Sequence, residues 1–151
     1  MKKFTCTKVF RFCCAHYLKE TVTEKCKSTH GHSYKLEITL GCNYLSDNNM
    51  VIDFTILKEM IKPVIDFFDH QLIAPGIELK ITVGEYGKFI RFIEQPTAEV
   101  MADIIFDFVE FQLDNPIYTE QHLVTRKRVW IEKVKLWEEM DSSCVEVIRN
   151  L

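Results

Sequence analysis

The chain has 151 residues and a mass of 17.8 kDa, and this length favours a single domain of residues 1–151. With 47% hydrophobic and 27% charged residues, the composition excludes an intrinsically disordered chain. A formal net charge of -3 gives no global positive charge for nucleic acid, and no apolar run is long enough to predict a membrane helix. The basic start is not followed by the apolar segment of a secretion signal, so we expect a cytoplasmic protein whose six cysteines are thiols.

Two strands are predicted in the first third of the chain. Residues 4–18 are rich in β-branched and aromatic side chains, which favour a strand. Residues 31–45 alternate, with Tyr34 and Leu36 on one face and Lys35 on the other. This alternation predicts a strand that buries one face and exposes the other.

Two helices and four further strands, two of them in a hairpin, are predicted in the rest of the chain. Apolar side chains at helical spacing surround Pro63, which predicts a helix with a kink or a late start. Thr97 is the candidate N-cap of the second helix. Two helices are too few for a parallel α/β sheet, so we predict an α+β fold with antiparallel pairing. In chain order, the predicted elements are strands over 4–18 and 31–45, a helix over 54–68, a hairpin over 77–94, a helix over 96–111, and strands over 124–137 and 143–149.

Three histidines lie at the ends of the first two predicted strands. His16 ends the first strand, and His30 and His32 open the second. Residues two apart on a strand point the same way, so His30 and His32 present both rings to one point, about 7 Å apart along the strand. An antiparallel neighbour would bring His16 beside them, and three histidines leave the fourth position of a tetrahedral zinc ion open for catalysis. The alternative is three unrelated histidines of the surface or the core.

Cys26 and the Asp69–His70 pair are the other candidates for chemistry. Cys26 lies between Lys25 and Lys27, four residues before the first of the two paired histidines, where a thiolate beside a metal ion would act as a base or nucleophile. Asp69 could orient the ring of His70 for proton transfer. The alternative for this pair is the C-terminal end of the preceding helix, where histidine is favoured.

Seven short motifs follow one another in order along nearly the whole chain. They are Phe12-Cys13-Cys14-Ala15-His16, Cys26-Lys27-Ser28-Thr29-His30-Gly31-His32-Ser33-Tyr34, Met50-Val51-Ile52-Asp53-Phe54, Leu57-Lys58, Asp69-His70-Gln71-Leu72, Pro96-Thr97-Ala98-Glu99 and Trp137-Glu138. With this order and these separations, the chain resembles the family of 6-pyruvoyltetrahydropterin and 6-carboxytetrahydropterin synthases. The three-residue gap between Cys26 and His30 is similar to that of the bacterial 6-carboxytetrahydropterin synthases of the queuosine pathway.

The resemblance implies roles for seven residues of this chain. Glu138 matches the family glutamate that anchors the pterin ring, whose amino group and ring N–H are donors suited to a carboxylate. The implied catalytic residues are Cys26, Asp69 and His70, and the implied zinc ligands are His16, His30 and His32.

The resemblance also implies a fold, an assembly and a reaction. The fold is the tunnelling fold, with an antiparallel four-stranded sheet and two helices on one face. Its subunits join edge to edge into trimeric barrels that stack into hexamers, so a homo-oligomer is expected, with Glu138 completing a neighbour's site. The zinc-dependent reaction converts 7,8-dihydroneopterin triphosphate to 6-carboxy-5,6,7,8-tetrahydropterin, acetaldehyde and triphosphate.

Some positions depart from the family pattern and leave two other functions open. Ser33 stands where many members have asparagine, and residues 77–93 make a longer connection than usual. The alternatives are a 6-pyruvoyltetrahydropterin synthase, which releases no acetaldehyde, and a non-catalytic pterin- or zinc-binding module. Glu99 is expected to support the second helix, His122 to lie in a loop without a role, and the five cysteines other than Cys26 to be buried apolar residues.

Overall fold

The protein is an α+β structure in which one sheet carries two long helices. The computed structural model describes residues 2–76, 78–85, 87–92, 94–115, 129–139 and 142–150. Its strands are β1 (Phe4–His16), β2 (His30–Cys42), β3 (Leu72–Pro75), β4 (Lys80–Gly84), β5 (Gly87–Phe92), β6 (Val129–Glu139) and β7 (Ser143–Ile148). Its helices are α1 (Glu24–Lys27), α2 (Phe54–Phe68) and α3 (Ala98–Leu113).

The seven described strands form one mixed sheet in the order β4-β5-β3-β1-β2-β6-β7. Strands β1 and β2 pair antiparallel along their whole length, from Phe4 opposite Cys42 to His16 opposite His30. The pairs β2–β6, β6–β7 and β4–β5 are also antiparallel. Strand β3 instead runs parallel to both of its neighbours, β1 and β5.

The predicted four-stranded antiparallel sheet with two helices is therefore wrong in its details. The described sheet has seven strands of mixed direction, and the short helix α1 is a third helix. Strand β3 escaped prediction because it has four apolar residues without alternation and begins shortly after helix α2 ends. Periodicity cannot distinguish so short an apolar run from a continuation of that helix.

The predicted strands are present with shifted ends. The strand predicted over 4–18 ends at His16, and the one predicted over 31–45 runs from His30 to Cys42. The final strand ends at Ile148. The predicted hairpin is formed by β4 and β5, and the strand predicted over 124–137 is β6. Residues 77, 86, 93 and 124–128 of these two predictions lie outside the described residues.

Helix α2 has the predicted bounds and continues through Pro63. Proline lacks the backbone donor for one helical hydrogen bond, which usually kinks or ends a helix. Here the side chain of Asp53 caps the first turn by accepting a hydrogen bond from the backbone N–H of Thr55, at 2.6 Å. A buried face also anchors the helix on both sides of Pro63, through Leu57, Met60, Ile61, Val64 and Phe68.

The core lies between the two long helices and one face of the sheet. On β2, alternate side chains from Tyr34 to Leu40 are almost completely buried, which confirms the predicted alternation. Helix α2 contacts β1, helix α3 contacts β6 and β7, and the two helices contact each other. Within the described ranges, no helix is both long and apolar enough to cross a membrane.

Candidate active site

Pairing of β1 with β2 brings the three predicted histidines together. His16 lies directly opposite His30, and His32 lies opposite Cys14 on the same face of the sheet. The ring centroids are 4.6 Å apart for His16 and His30, 5.1 Å for His16 and His32, and 5.0 Å for His30 and His32. One ring nitrogen of each histidine lies within 4.8 Å of those of the other two, so the cluster could hold a metal ion.

The hydrogen bonds of two rings suit metal binding. Nδ1 of His16 lies 2.7 Å from the carbonyl oxygen of Pro96, and Nδ1 of His30 lies 2.8 Å from that of Ser28. A carbonyl oxygen can only accept, so each Nδ1 carries the proton and each Nε2 keeps a lone pair for a ligand bond. Nε2 of His16 is buried and has no hydrogen-bond partner among the described residues.

Burial also fixes the charge state of His16. This residue is 2% exposed. Burial is the main cause that lowers the pKa of its ring, against the opposing effect of the hydrogen bond to Pro96. The neutral imidazole that results is the form that binds metal ions. The donor set, its tautomers and its charge therefore fit a metal with an open fourth position.

A cavity of about 630 Å³ lies beside the three rings, and we call it the histidine cavity. Cys26 reaches it from α1, where its backbone N–H donates to the carbonyl of Thr23 at 3.0 Å and its carbonyl accepts from Leu18 at 2.8 Å. These bonds fix the position of Cys26 within the loop between β1 and β2. The other lining residues include Lys25, Thr97, Ala98, Glu99, Glu138, Glu139 and Cys144.

Glu138 projects from β6 into the same cavity. Its Oε1 atom lies 4.0 Å from Nε2 of His16, and its side chain is 30% exposed. The structure thus places Glu138 at the histidine cluster of its own chain. Burial raises the pKa of Cys14 to about 12, with Glu138 among the charges that add to this shift, so that thiol stays protonated beside the carboxylate.

The Asp69–His70 pair lies at the end of α2, where it is tied to β1. The backbone N–H of Cys13 donates to Oδ1 of Asp69 at 2.9 Å, and the carbonyl of Cys13 accepts from the backbone N–H of His70 at 2.6 Å. Oδ1 of Asp69 is also 3.0 Å from Nδ1 of His70. The hydrogen bond from the backbone N–H of Cys13 is the main cause that lowers the pKa of Asp69, and His70 lowers it further. Asp69 therefore stays a carboxylate that can orient the ring of His70.

His70 faces a different cavity from Cys26. Its backbone is in the left-handed region, with φ of 56°, and its side chain is 80% exposed. It lines a second cavity of about 550 Å³, which we call the outer cavity, together with Cys13, Ser33 and Gln71. Among the described residues, only His32 lines both of these cavities. A single chain therefore groups Cys26 with the three histidines and leaves His70 in the other cavity.

Other predictions at the site have mixed outcomes. Thr97 is the N-cap of α3, as predicted, and its hydroxyl accepts from the backbone N–H of Val100 at 3.4 Å. The prediction of buried cysteines is wrong for Cys13 and Cys144, whose exposed positions on β1 and β7 alternate with the core-facing ones. His122 lies outside the described residues.

Two contributors to the site were missed by sequence reasoning. The Pro96 carbonyl that orients His16 is a backbone atom eighty positions away in the chain, so no side-chain pattern could have indicated it. Tyr34 was assigned only to the buried face of β2, but its ring meets the edges of both His16 and His32, with centroid distances of 6.4 and 5.6 Å. The sequence contained one signal for this contact. Tyr34 lies two residues after His32, and side chains two apart on a strand point to the same face.

Comparison with solved structures defines the class of fold. The chain superposes on an uncharacterised protein of Wolinella succinogenes with a TM-score of 0.76, covering 99% of this chain and 100% of that chain at 18% identity. It superposes on the 6-pyruvoyl tetrahydropterin synthase of Plasmodium vivax with a TM-score of 0.70, covering 100% of both chains at 20% identity. The fold is therefore the tunnelling fold of the 6-pyruvoyl tetrahydropterin synthases, as the resemblance implied.

Comparison of sequences then defines the family. The family model described as 6-pyruvoyl tetrahydropterin synthase matches residues 5–150, and the chain belongs to this family. A protein of Aquifex aeolicus named 6-carboxy-5,6,7,8-tetrahydropterin synthase is 36% identical over 135 residues, which are 85% of this chain and 79% of that protein. A protein of the same name from Rickettsia conorii is 31% identical over 88% of this chain and 92% of its own length.

Proposed function

We propose that the protein is a zinc-dependent 6-carboxy-5,6,7,8-tetrahydropterin synthase of queuosine biosynthesis. It would convert 7,8-dihydroneopterin triphosphate to 6-carboxytetrahydropterin, acetaldehyde and triphosphate. The observation that carries the proposal is the three-histidine cluster with Cys26 in one cavity. The relatives named 6-carboxytetrahydropterin synthase, at 31–36% identity over most of the chain, support this choice of reaction.

Zinc is the metal that we propose for the cluster. His16, His30 and His32 would hold it through neutral imidazoles, and three nitrogen ligands with one open position are typical of catalytic zinc. When bound, zinc supplies Lewis acidity that polarises substrate oxygens and acidifies the neighbouring C–H and O–H groups.

The protein's own side chains would handle the substrate and its protons. Cys26, which lines the histidine cavity, would accept a proton from the substrate side chain as a thiolate base. Glu138, which lines the same cavity, would accept hydrogen bonds from the amino group and ring N–H of the pterin. The triphosphate needs a cation, and Lys25 lines the same cavity.

The second acid/base pair would come from a neighbouring subunit. Asp69 holds the ring of His70, but His70 lines the outer cavity whereas Cys26 lines the histidine cavity. An assembly that places the outer cavity of one chain against the histidine cavity of the next would complete the catalytic group. We therefore propose a homo-oligomer, a trimer or hexamer. The single domain of residues 1–151 and the cytoplasmic location stay predictions.

A 6-pyruvoyltetrahydropterin synthase is the second candidate, favoured by the description of the matching family model. Both reactions release triphosphate, but only the carboxy-type reaction cleaves the side chain and releases acetaldehyde. Product analysis of the zinc-loaded protein with 7,8-dihydroneopterin triphosphate therefore decides between them. We expect 6-carboxytetrahydropterin and acetaldehyde in equal amounts. Triphosphate without acetaldehyde would indicate the pyruvoyl type, and no turnover at all would indicate a non-catalytic binding module.

A further inference from the structure

The hydroxyl of Tyr34 is buried beside the histidine cluster, where Glu138 is a side chain that acts on it but, within the part of the chain that the structure describes, no hydrogen bond of full geometry is formed. Tyr34 is 1% exposed, and its oxygen has no hydrogen bond among the described residues. The ring is well held, because it stacks on Phe12 with centroids 5.0 Å apart and meets the ring of His32 at 5.6 Å. Buried polar groups nearly always have a hydrogen-bond partner. We therefore expect this rigidly placed hydroxyl to form a hydrogen bond in the functioning site.

The strand register identifies that partner as Glu138. Pairing of β2 with β6 runs from Cys42 opposite Val129 to Lys35 opposite Trp137, with Leu36 opposite Leu136 on the buried face. One step further, Tyr34 comes opposite Glu138, and both share the buried face because side chains alternate along a strand. Directly opposite side chains on one face have Cβ atoms about 5 Å apart and interact.

The chemistry of the two groups is complementary. A tyrosine hydroxyl keeps its proton at neutral pH and is a donor, whereas a carboxylate has acceptor sites on both oxygens. The Glu138 carboxylate acts electrostatically on the Tyr34 hydroxyl, and its Oε1 atom lies 4.0 Å from Nε2 of His16. With a side chain that is 30% exposed, Glu138 has several rotamers within reach unless a neighbour fixes one.

We propose that Tyr34 is a positioning residue for Glu138, whose carboxylate it holds toward the histidine cavity by donating a hydrogen bond to one oxygen. This inference rests on the proposed function, in which Glu138 binds the pterin ring. A carboxylate that is already oriented loses less freedom when the pterin binds, so the hydroxyl contributes to affinity without touching the ligand.

The test is a double-mutant cycle on pterin binding. Tyr34→Phe removes the hydroxyl and keeps the ring volume, Glu138→Gln changes the acceptor, and the double variant combines them. Tyr44→Phe is the matched control, because Tyr44 is 70% exposed. The readout is the Kd for neopterin, measured by fluorescence on both metal-free and zinc-loaded protein, with the denaturation midpoint as a check on folding.

We expect Tyr34→Phe to raise the Kd about tenfold or more, as the loss of a hydrogen bond to a charged group does. In the Glu138→Gln background the same change should have no further effect, and Tyr44→Phe should bind like the wild type. In turnover, Tyr34→Phe should raise KM and leave kcat nearly unchanged.

Each contrary outcome has a distinct meaning. If Tyr34→Phe binds neopterin like the wild type while Glu138→Gln binds it weakly, the inference is overturned and the role of Glu138 stands. If Tyr34→Phe weakens binding equally in both backgrounds, the hydroxyl acts on its own and the inference is also wrong. If Glu138→Gln binds normally, the pterin role of Glu138 fails, and the inference fails with it. If the cycle holds but the protein has no turnover, only the proposed reaction fails.

Discussion

Histidines of this chain differ in chemistry because their surroundings differ. His16 is buried, and a backbone carbonyl fixes its Nδ1 proton, so its free Nε2 has the properties of a metal ligand. His70 is 80% exposed, and the Asp69 carboxylate holds its ring. The two environments therefore differ in exposure and in the partner of Nδ1, as the two proposed roles require.

The first prediction separates these two roles. His30→Ala removes one nitrogen from the cluster, and we expect zinc affinity to fall by more than about 100-fold, since the remaining two ligands no longer define a tetrahedral site. His70→Ala is the matched control, because His70 lines the outer cavity and should leave zinc content unchanged. Zinc is measured by mass spectrometry of the dialysed protein. Equal loss of zinc from both variants would contradict the assignment of the ligands.

The second prediction concerns the thiols that line the histidine cavity. Cys26→Ser should lower kcat about 100-fold or more, because a hydroxyl is a far weaker base than a thiolate, and zinc content should not change. Cys144→Ser is the control, since Cys144 lines the same cavity from β7 and has no proposed role. The measurement is triphosphate release in the steady state. Full activity of Cys26→Ser, or an equal loss in the control, would contradict a catalytic Cys26.

Among the elements, strands β1 and β2 were the most informative part of the sequence. Alternation on β2 predicted which face is buried, and the antiparallel pairing placed His16 opposite His30, as the spacing of the histidines required. Strand β3 could not be predicted, because its four apolar residues have no period, and its parallel pairing with β1 and β5 is decided by contacts distant in sequence. Whether so short a segment forms a strand depends on its packing against neighbouring strands more than on its own sequence.

The end of α2 shows why the alternatives for Asp69 and His70 were hard to separate. Asp69 is the C-cap residue of the helix, which agrees with the structural interpretation, and its carboxylate also holds His70. The backbone of His70 in the left-handed region is unusual for a side chain other than glycine and is enriched at functional sites. The sequence contains no signal for this conformation, because it depends on the hydrogen bonds to Cys13.

The third prediction tests the cap at the start of α2. Asp53→Ala removes the acceptor for the Thr55 N–H, and we expect the free energy of unfolding to fall by about 1 kcal/mol. Asp47→Ala, at an exposed position of the preceding turn, should change it by less than about 0.5 kcal/mol. Chemical denaturation followed by circular dichroism measures both. A loss no larger than that of the control would show that the cap does not stabilise this helix.

At the scale of the whole molecule, the proposed catalytic groups are distributed over two cavities. The histidine cavity contains the cluster, Cys26 and Glu138, whereas the outer cavity contains His70. The described sheet ends in β4 on one side and β7 on the other. Every residue of β4 is exposed, including Ile81 at 52% and Val83 at 75%. Such edges can pair with another chain, which is the contact that the proposed assembly requires.

The fourth prediction tests whether the site is shared between chains. Cys26→Ala and His70→Ala should each be inactive alone. If one site takes Cys26 from one subunit and His70 from the next, a random one-to-one mixture has both intact in about one quarter of its sites. We therefore expect kcat to return to about a quarter of the wild-type value after the two variants are unfolded and refolded together.

The control for this experiment is a mixture of Cys26→Ala with Cys26→Ser, in which both chains have the defect at the same position. That mixture should stay inactive, because no arrangement of subunits supplies a Cys26 thiol. If the Cys26→Ala and His70→Ala mixture also stays inactive while wild-type protein recovers from the same treatment, Cys26 and His70 act within one chain. His70 would then have to move from the outer cavity toward the histidine cavity during turnover, since His32 is the lining residue that the two cavities share.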